Sequence, residues 1–220
     1  MNKYLQKNIN QIMPILKKAY PSSSKTTLNR MRGKPDPFKV LIACLLSLRA
    51  RDENTEKVSE ALFKVADTPE TLVKIPIKKL EKIIFSSGHY RKKARVIQHV
   101  SQVLINQFHS KVPNTREELM SIKGIGPKTS NIVLAFAFGE KVIPVDVHVH
   151  VIANRLGWIK EKTPEKTEKA LEQVLPKKYW NEINAILVQF GREICITISP
   201  KCSICPVQNY CPRINVTRSR

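Results

Sequence analysis

Negative charge is scarce in this chain. Its 220 residues carry 18 Asp and Glu against 38 Lys and Arg, a formal net charge of +20 at pH 7 and a pI of about 9.9. That imbalance points to a polyanionic partner such as nucleic acid. Long apolar runs are missing: none approaches the roughly 18 residues of a membrane span, and no segment has the charged, apolar and small-residue order of a signal peptide. An anionic membrane surface is therefore the weaker rival, and no membrane partner is expected. Tandem repeats and low-complexity tracts are absent. Alternation of the β type is confined to "KVIPVDVHVHV", which excludes a sheet protein.

At this length the 42% of apolar residues can close one large core or two small ones. Almost every segment repeats its apolar residues at helical spacing, so the fold class is all-α. Helices are expected near 2–19, 37–48, 53–66, 69–74, 77–85, 90–109, 115–121, 127–138, 146–156, 164–175 and 179–195. Stops such as "YPSSSK", "VPNT", "GIGP" and "VLPKKYW" combine Pro or Gly with a polar or capping residue. The first helix puts Tyr4, Ile9, Ile12, Met13 and Leu16 on one face with Lys on the other, the pattern of a packed helix. Only "PSSSKTTLNRMRGKPDP", residues 21–37, reads as a linker or long loop.

Cysteine use is lopsided. Cys44 lies alone in "KVLIACLLSL" and reads as a small buried hydrophobe. The other four crowd the tail, where "CITISPKCSICPVQNYC" places Cys195, Cys202, Cys205 and Cys211 in the pattern C-x6-C-x2-C-x5-C. Structural zinc usually takes two C-x2-C pairs separated by a longer finger. A single tight loop with one such pair better fits a [4Fe-4S] cluster with one thiolate per iron. Zinc and two disulfides are the remaining readings. Lys201 and Arg213 flank the loop with positive charge, and Pro200, Pro206 and Pro212 stiffen it.

In "SIKGIGPKTSNIV", residues 121–133, a helix stops, two glycines open a tight turn, and Pro127 suits the first position of the next helix. This is a helix, a hairpin and a helix. The turn around Gly124 and Gly126 aims N–H groups outward at a helix N-terminus, a cradle for phosphate that holds a DNA backbone without reading its sequence. A plain corner between helices is the alternative. Lys128 is the odd residue, because a helix N-terminus disfavours a cation.

Taken together, "IKGIGPKTSNIV", "VIPVDVHVHVIANRLG" and the four-cysteine loop, in that order and spacing, resemble the endonuclease III group of helix-hairpin-helix DNA glycosylases over about residues 10–213. The resemblance implies an all-helical fold of two lobes: a helical barrel at 30–140 carrying the hairpin, and a [4Fe-4S] lobe made of 1–29 and 141–220. Damaged double-stranded DNA would bind across the cleft between them. It also implies a bifunctional DNA glycosylase and AP lyase of base excision repair. The family's lysine nucleophile falls on Lys128 and its aspartate partner on Asp146. An amine attacks only when neutral, and the field of helix N–H groups with partial burial should favour that form. Asp146 would offset charge developing on the sugar, and it is equally placed to be an ordinary helix cap.

Other positions follow from the same resemblance. Arg49 stands where bacterial members usually show a glutamine that fills the gap left by the flipped base, and His89 where they often carry an apolar wedge. Both are departures from the pattern. Lys201 is expected on DNA through the cluster loop. Arg91, Lys92, Lys93 and Arg95 form a basic run that reads as a solvated face able to grip phosphate. His148 is at most a residue of the cleft, since His148 and His150, two apart, would not share a helix face. Oxidised pyrimidines are the expected substrates. A mismatch-specific thymine or uracil glycosylase and a non-catalytic DNA-binding iron-sulfur protein are the alternatives. A monomer, cytoplasmic and nucleoid-associated if the source is prokaryotic, completes the expectation.

Overall fold

The computed structural model describes residues 3–21, 36–48, 50 and 52–220. Most of the expected loop at 21–37, and Arg49, lie outside the described residues. Among those described there is no strand, and the all-α reading holds. The chain falls into two compact units, Met1–Ser24 with Lys141–Arg220, and Lys25–Glu140.

The unit Lys25–Glu140 is built around α2 (Pro37–Ser47), which is apolar on nearly every face and buried from Val40 to Leu46. A helix hydrophobic all round belongs in the centre of a bundle. Asp36 starts it, its Oδ1 accepting from the N–H of Phe38 at 2.8 Å, with Pro37 in the first turn. Around it pack α3 (Asp52–Phe63), α6 (Tyr90–Phe108) and α8 (Pro127–Ala137). The short α4 (Pro69–Val73) and α5 (Ile77–Ile83) lean on α6, and α7 (Arg116–Ser121) leans on α8. The sequence sets these boundaries locally. Thr68 closes a capping box with Thr71, and Thr115 accepts from the N–H of Glu118, each satisfying an N–H the helix itself cannot pair.

The other unit gathers α1 (Lys3–Ala19), α9 (Val147–Arg155), α10 (Pro164–Val174), α11 (Trp180–Glu193) and the cysteine-rich tail. Ile9, Ile12, Met13 and Leu16 of α1 are fully buried against a core that includes Val149, Ile152, Trp158 and Phe190. At about 1.5–3 kcal/mol for each buried aliphatic side chain, that stripe docks α1 firmly. Asn8 adds direction: its amide accepts from the Trp158 indole N–H at 2.9 Å and donates to the Tyr210 carbonyl at 2.9 Å. The first helix is thereby tied to the tail 202 residues later. Among the described residues no helix is long and apolar enough to cross a membrane.

Candidate active site and metal centre

The hairpin between α7 and α8 uses its two glycines differently. The N–H of Ile125 donates to the Ile122 carbonyl at 3.0 Å, closing a turn in which Gly124 takes φ +107. A Cβ there would also come 2.8 Å from Val96 Cγ1 on α6. Geometry and packing both require glycine at 124. Gly126, at φ −101 and ψ 177, is in extended backbone that any residue adopts, and a Cβ there would meet nothing within 4 Å. Among the described residues no packing contact requires glycine at 126. It opens α8 with no side-chain cap, and Pro127 follows in the first turn.

Lys128 stands next to Pro127 and is half-buried. The three residues after it, Thr129, Ser130 and Asn131, are buried, and Arg116 of α7 donates to Asn131 Oδ1 at 3.2 Å, which ties the two arms of the hairpin. Behind them lies Cys44 of α2. Burial pushes its thiol up to about 11, with the Lys128 charge and a Thr129 hydrogen bond pulling the other way. Cys44 therefore stays a neutral, buried thiol.

The loop before α6 makes a second feature. Gly88 at φ 66 and His89 at φ 47 are consecutive left-handed residues, and the exposed His89 precedes α6 without giving it a side-chain cap. A pocket of about 420 Å³ is lined by Leu45, Leu48, His89, Lys92, Lys93, Val96 and Gly124, so His89 and Gly124 border one space. The expected solvated face needs a correction here. Arg91, Lys92 and Arg95 are exposed, but Lys93 is only 7% exposed. Its Nζ donates to the carbonyls of Leu46 and Ser87, each at 2.6 Å. Lys93 precedes Ile97, Val100, Ser101 and Leu104 on the buried stripe of α6, a periodicity that would have revealed it.

Asp146 caps α9. Its Oδ1 accepts from the N–H groups of His148 and Val149, both at 3.0 Å, so the capping role is realised. Just upstream, Asn184 of α11 donates to the Pro144 carbonyl at 2.9 Å. The two histidines that follow diverge. His148 lies against Gly191 of α11 so closely that a Cβ at 191 would fall on its ring, whereas His150 Nδ1 pairs with Thr167 Oγ1 at 2.7 Å on α10. They do not form a metal pair.

The far end of α9 reaches the cysteines. Cys195, Cys202, Cys205 and Cys211 are half-buried and in no disulfide, and all four line one cavity with Arg155, Leu156, Phe190 and Val207. Burial raises the thiols of Cys195, Cys205 and Cys211, Cys205 to about 11, and neighbouring cysteines raise them further. Four converging soft donors that repel one another as thiolates suit a cationic iron core, which offsets both effects.

Sequence reasoning missed Arg155. Nearly buried, its guanidinium donates to Cys195 Sγ at 3.4 Å and to the carbonyls of Ile196 at 2.9 Å and Thr197 at 2.6 Å. One helix thus begins at Asp146 and ends in a clamp on the cysteine loop. An arginine in the largely apolar "VIANRLG" was the available signal. Lys201 sits half-buried inside that loop, its N–H on the Ile194 carbonyl at 2.9 Å.

Residues 42–177 match the HhH-GPD superfamily of base excision DNA repair proteins. The chain belongs to that family. Residues 198–211 match the iron-sulfur binding domain of endonuclease III, a stretch that holds Cys202, Cys205 and Cys211. Over 194 residues the chain is 45% identical to endonuclease III of Thermotoga maritima, covering 88% of this chain and 87% of that protein. A solved structure of a trapped covalent intermediate of endonuclease III with DNA superposes with a TM-score of 0.83 at 34% identity, over 94% of this chain and 96% of that one. A thermostable thymine-DNA glycosylase reaches the same TM-score at 23% identity, over 94% of this chain and 96% of that one, a likeness of fold alone. The endonuclease III resemblance carried by the hairpin, the aspartate segment and the cysteine loop therefore holds. This is a base excision repair enzyme whose cofactor is a [4Fe-4S] cluster, and its four tail cysteines fit that group.

Proposed function

We propose that the chain is a bifunctional glycosylase and AP lyase that removes oxidised pyrimidines from double-stranded DNA, with Lys128 as nucleophile. The observation that carries this reading is a half-buried lysine beside an uncapped helix N-terminus, where a cation placed for stability alone is disfavoured. The Lys128 amine, once neutral, attacks C1′ of the damaged nucleoside. The C1′–N bond breaks and the base leaves with the bonding pair and a proton. The C1′–O4′ bond of the sugar then opens, the ring oxygen taking the bonding pair and a proton, to leave a Schiff base between C1′ and the lysine; this acidifies the C2′ hydrogen, whose loss expels the 3′ phosphate by β-elimination, and water then frees the lysine. Asp146, assigned by its place in the family motif, stabilises positive charge on the sugar while it caps α9.

Gly126 supports backbone contact, because an open Cβ position at an uncapped helix start lets a phosphate approach the N–H groups. Gly124 shapes the same turn, and Arg49, His89 and Lys201 are assigned to DNA by the resemblance. The unit Lys25–Glu140 corresponds in this reading to the helical barrel, and the other unit to the cluster lobe. Cys195, Cys202, Cys205 and Cys211 would hold the cluster, which supplies shape to the loop bearing Lys201 rather than chemistry. The enzyme is expected to work as a monomer, in the cytoplasm if its source is prokaryotic. A solved relative captured as a covalent intermediate with DNA is in keeping with the lysine mechanism.

Borohydride trapping tests it. The protein should form a reducible covalent adduct with duplexes carrying thymine glycol, 5-hydroxycytosine or an abasic site. Absence of any adduct would refute the lysine chemistry, and a preference for G·T or G·U mispairs over thymine glycol would overturn the substrate. Anaerobically purified protein should hold about four irons per chain, as one [4Fe-4S] cluster requires, with zinc in their place the contrary result.

A further inference from the structure

Lys93 is a buried amine that the proposed chemistry does not use. Burial lowers its pKa to about 8, so the fold keeps a cation where an apolar side chain of like volume would be easier to bury. What it gains is a pair of contacts between segments some forty residues apart. Leu46, whose carbonyl it takes, is in the last turn of α2, where helix carbonyls have no partner of their own. Ser87 ends the 3-10 turn Phe85–Ser87, immediately before Gly88 and His89. The same residue also holds the far side of that tip, since the Lys93 backbone N–H donates to the His89 carbonyl at 3.1 Å. Side chain and main chain of one lysine thus bracket the tip, in which His89 takes a left-handed conformation that is costly for a residue with a Cβ.

We infer that Lys93 is a positioning residue for base extrusion: by fastening the Gly88–His89 tip to the end of α2 it fixes His89 at the rim of the pocket as a rigid wedge. The inference rests on the reading of His89 as a DNA-inserting residue. A wedge on a loose tip would lose its push in reorienting, and small misplacements cost catalysis heavily.

The experiment compares Lys93→Met, Lys93→Arg, His89→Ala and the double variant Lys93→Met/His89→Ala. Each acts on thymine glycol in a fully paired duplex and on the same lesion in an unpaired bubble, where extrusion costs little. Active sites are counted by borohydride trapping on an abasic duplex, so absence of trapping in the unaltered protein would sink the glycosylase reading rather than this one. Lys93→Met should slow single-turnover base release on the paired duplex by about tenfold or more and leave the bubble substrate within about twofold. Lys93→Arg, which keeps a charged donor, should restore most of the rate. In the His89→Ala background Lys93→Met should add nothing, because two residues acting through one device do not add. Equal slowing on both substrates, multiplying effects in the double variant, or an inert His89→Ala would each overturn the inference. Should Lys93→Met fail to fold, Lys93→Gln replaces it, with the paired-to-bubble ratio read in the same way.

Discussion

Two lysines of the same unit both lie in the first turn of their own helices, α6 and α8, but the Lys93 ammonium reaches the C-terminal end of another helix. Lys93 gives its ammonium to carbonyls at the end of α2 and the 3-10 turn, where the helix dipole welcomes a cation. Lys128 stands at the start of α8, where the dipole repels one. A charge on the favourable end can be explained by the fold, and a charge on the unfavourable end asks for another reason. The contrast separates an amine that holds the structure from one offered to chemistry, although the sequence spells both as lysine among basic or polar neighbours.

The sharpest way to break this contrast is to remove the amine of Lys128. Lys128→Gln should abolish borohydride trapping and strand cleavage while fold and duplex affinity persist. If trapping survives, or if Lys93→Met removes it just as completely, the division of labour between the two lysines is wrong.

Asp146 extends the contrast to the anionic side. It is a helix cap by its two bonds to the His148 and Val149 N–H groups, and Asn caps about as well as Asp. Asp146→Asn should therefore melt within about 0.5 kcal/mol of the parent yet release base about a hundredfold more slowly, the scale of a lost charge-stabilising group. Single-turnover rates near those of the parent would leave Asp146 a cap and nothing more.

The glycines give a smaller, cleaner split. Gly124→Ala meets both a φ of +107 and Val96 Cγ1, and should cost about 2–4 kcal/mol of stability through strain and overlap. Gly126→Ala, with open space at its Cβ, should cost less than about 1 kcal/mol, as a poorer cap, while weakening duplex binding severalfold. The measurement is denaturation beside a DNA titration at fixed salt. Equal stability loss in the two variants would return the hairpin to a plain corner between helices.

The legible parts of this molecule were those written in short range. Thr68, Thr115, Asp146 and the prolines after Asp36, Thr68, Gly126 and Thr163 mark helix starts in the sequence and mark them in the structure. The cysteine spacing likewise foretold a common cavity. What escaped was set by partners distant in the chain. Lys93 hid in a run of charges because its acceptors, Leu46 and Ser87, belong to other elements. Arg155 and the packing of His148 on Gly191 depend on segments some forty residues away, which no local pattern encodes.

The smallest effect bears on Lys93 alone. Its folded pKa is lowered to about 8 by burial from an ordinary 10.5, so between those values the unfolded chain binds a proton that the folded chain does not. Stability then rises with pH across that window, and the penalty of burying the ammonium is full below pH 8. Other groups titrate in the same range, so the quantity to follow is the stability of the parent minus that of Lys93→Met, by urea denaturation from pH 7 to 10. It should be flat up to about pH 8 and climb above it. The two carbonyl bonds act against this, since hydrogen bonds to a charged donor favour the charged form. A difference that stays level through pH 10 would mean that those bonds fully offset burial, making Lys93 as much at home as an ammonium as the helix dipole alone suggests; a falling difference would mean that they dominate.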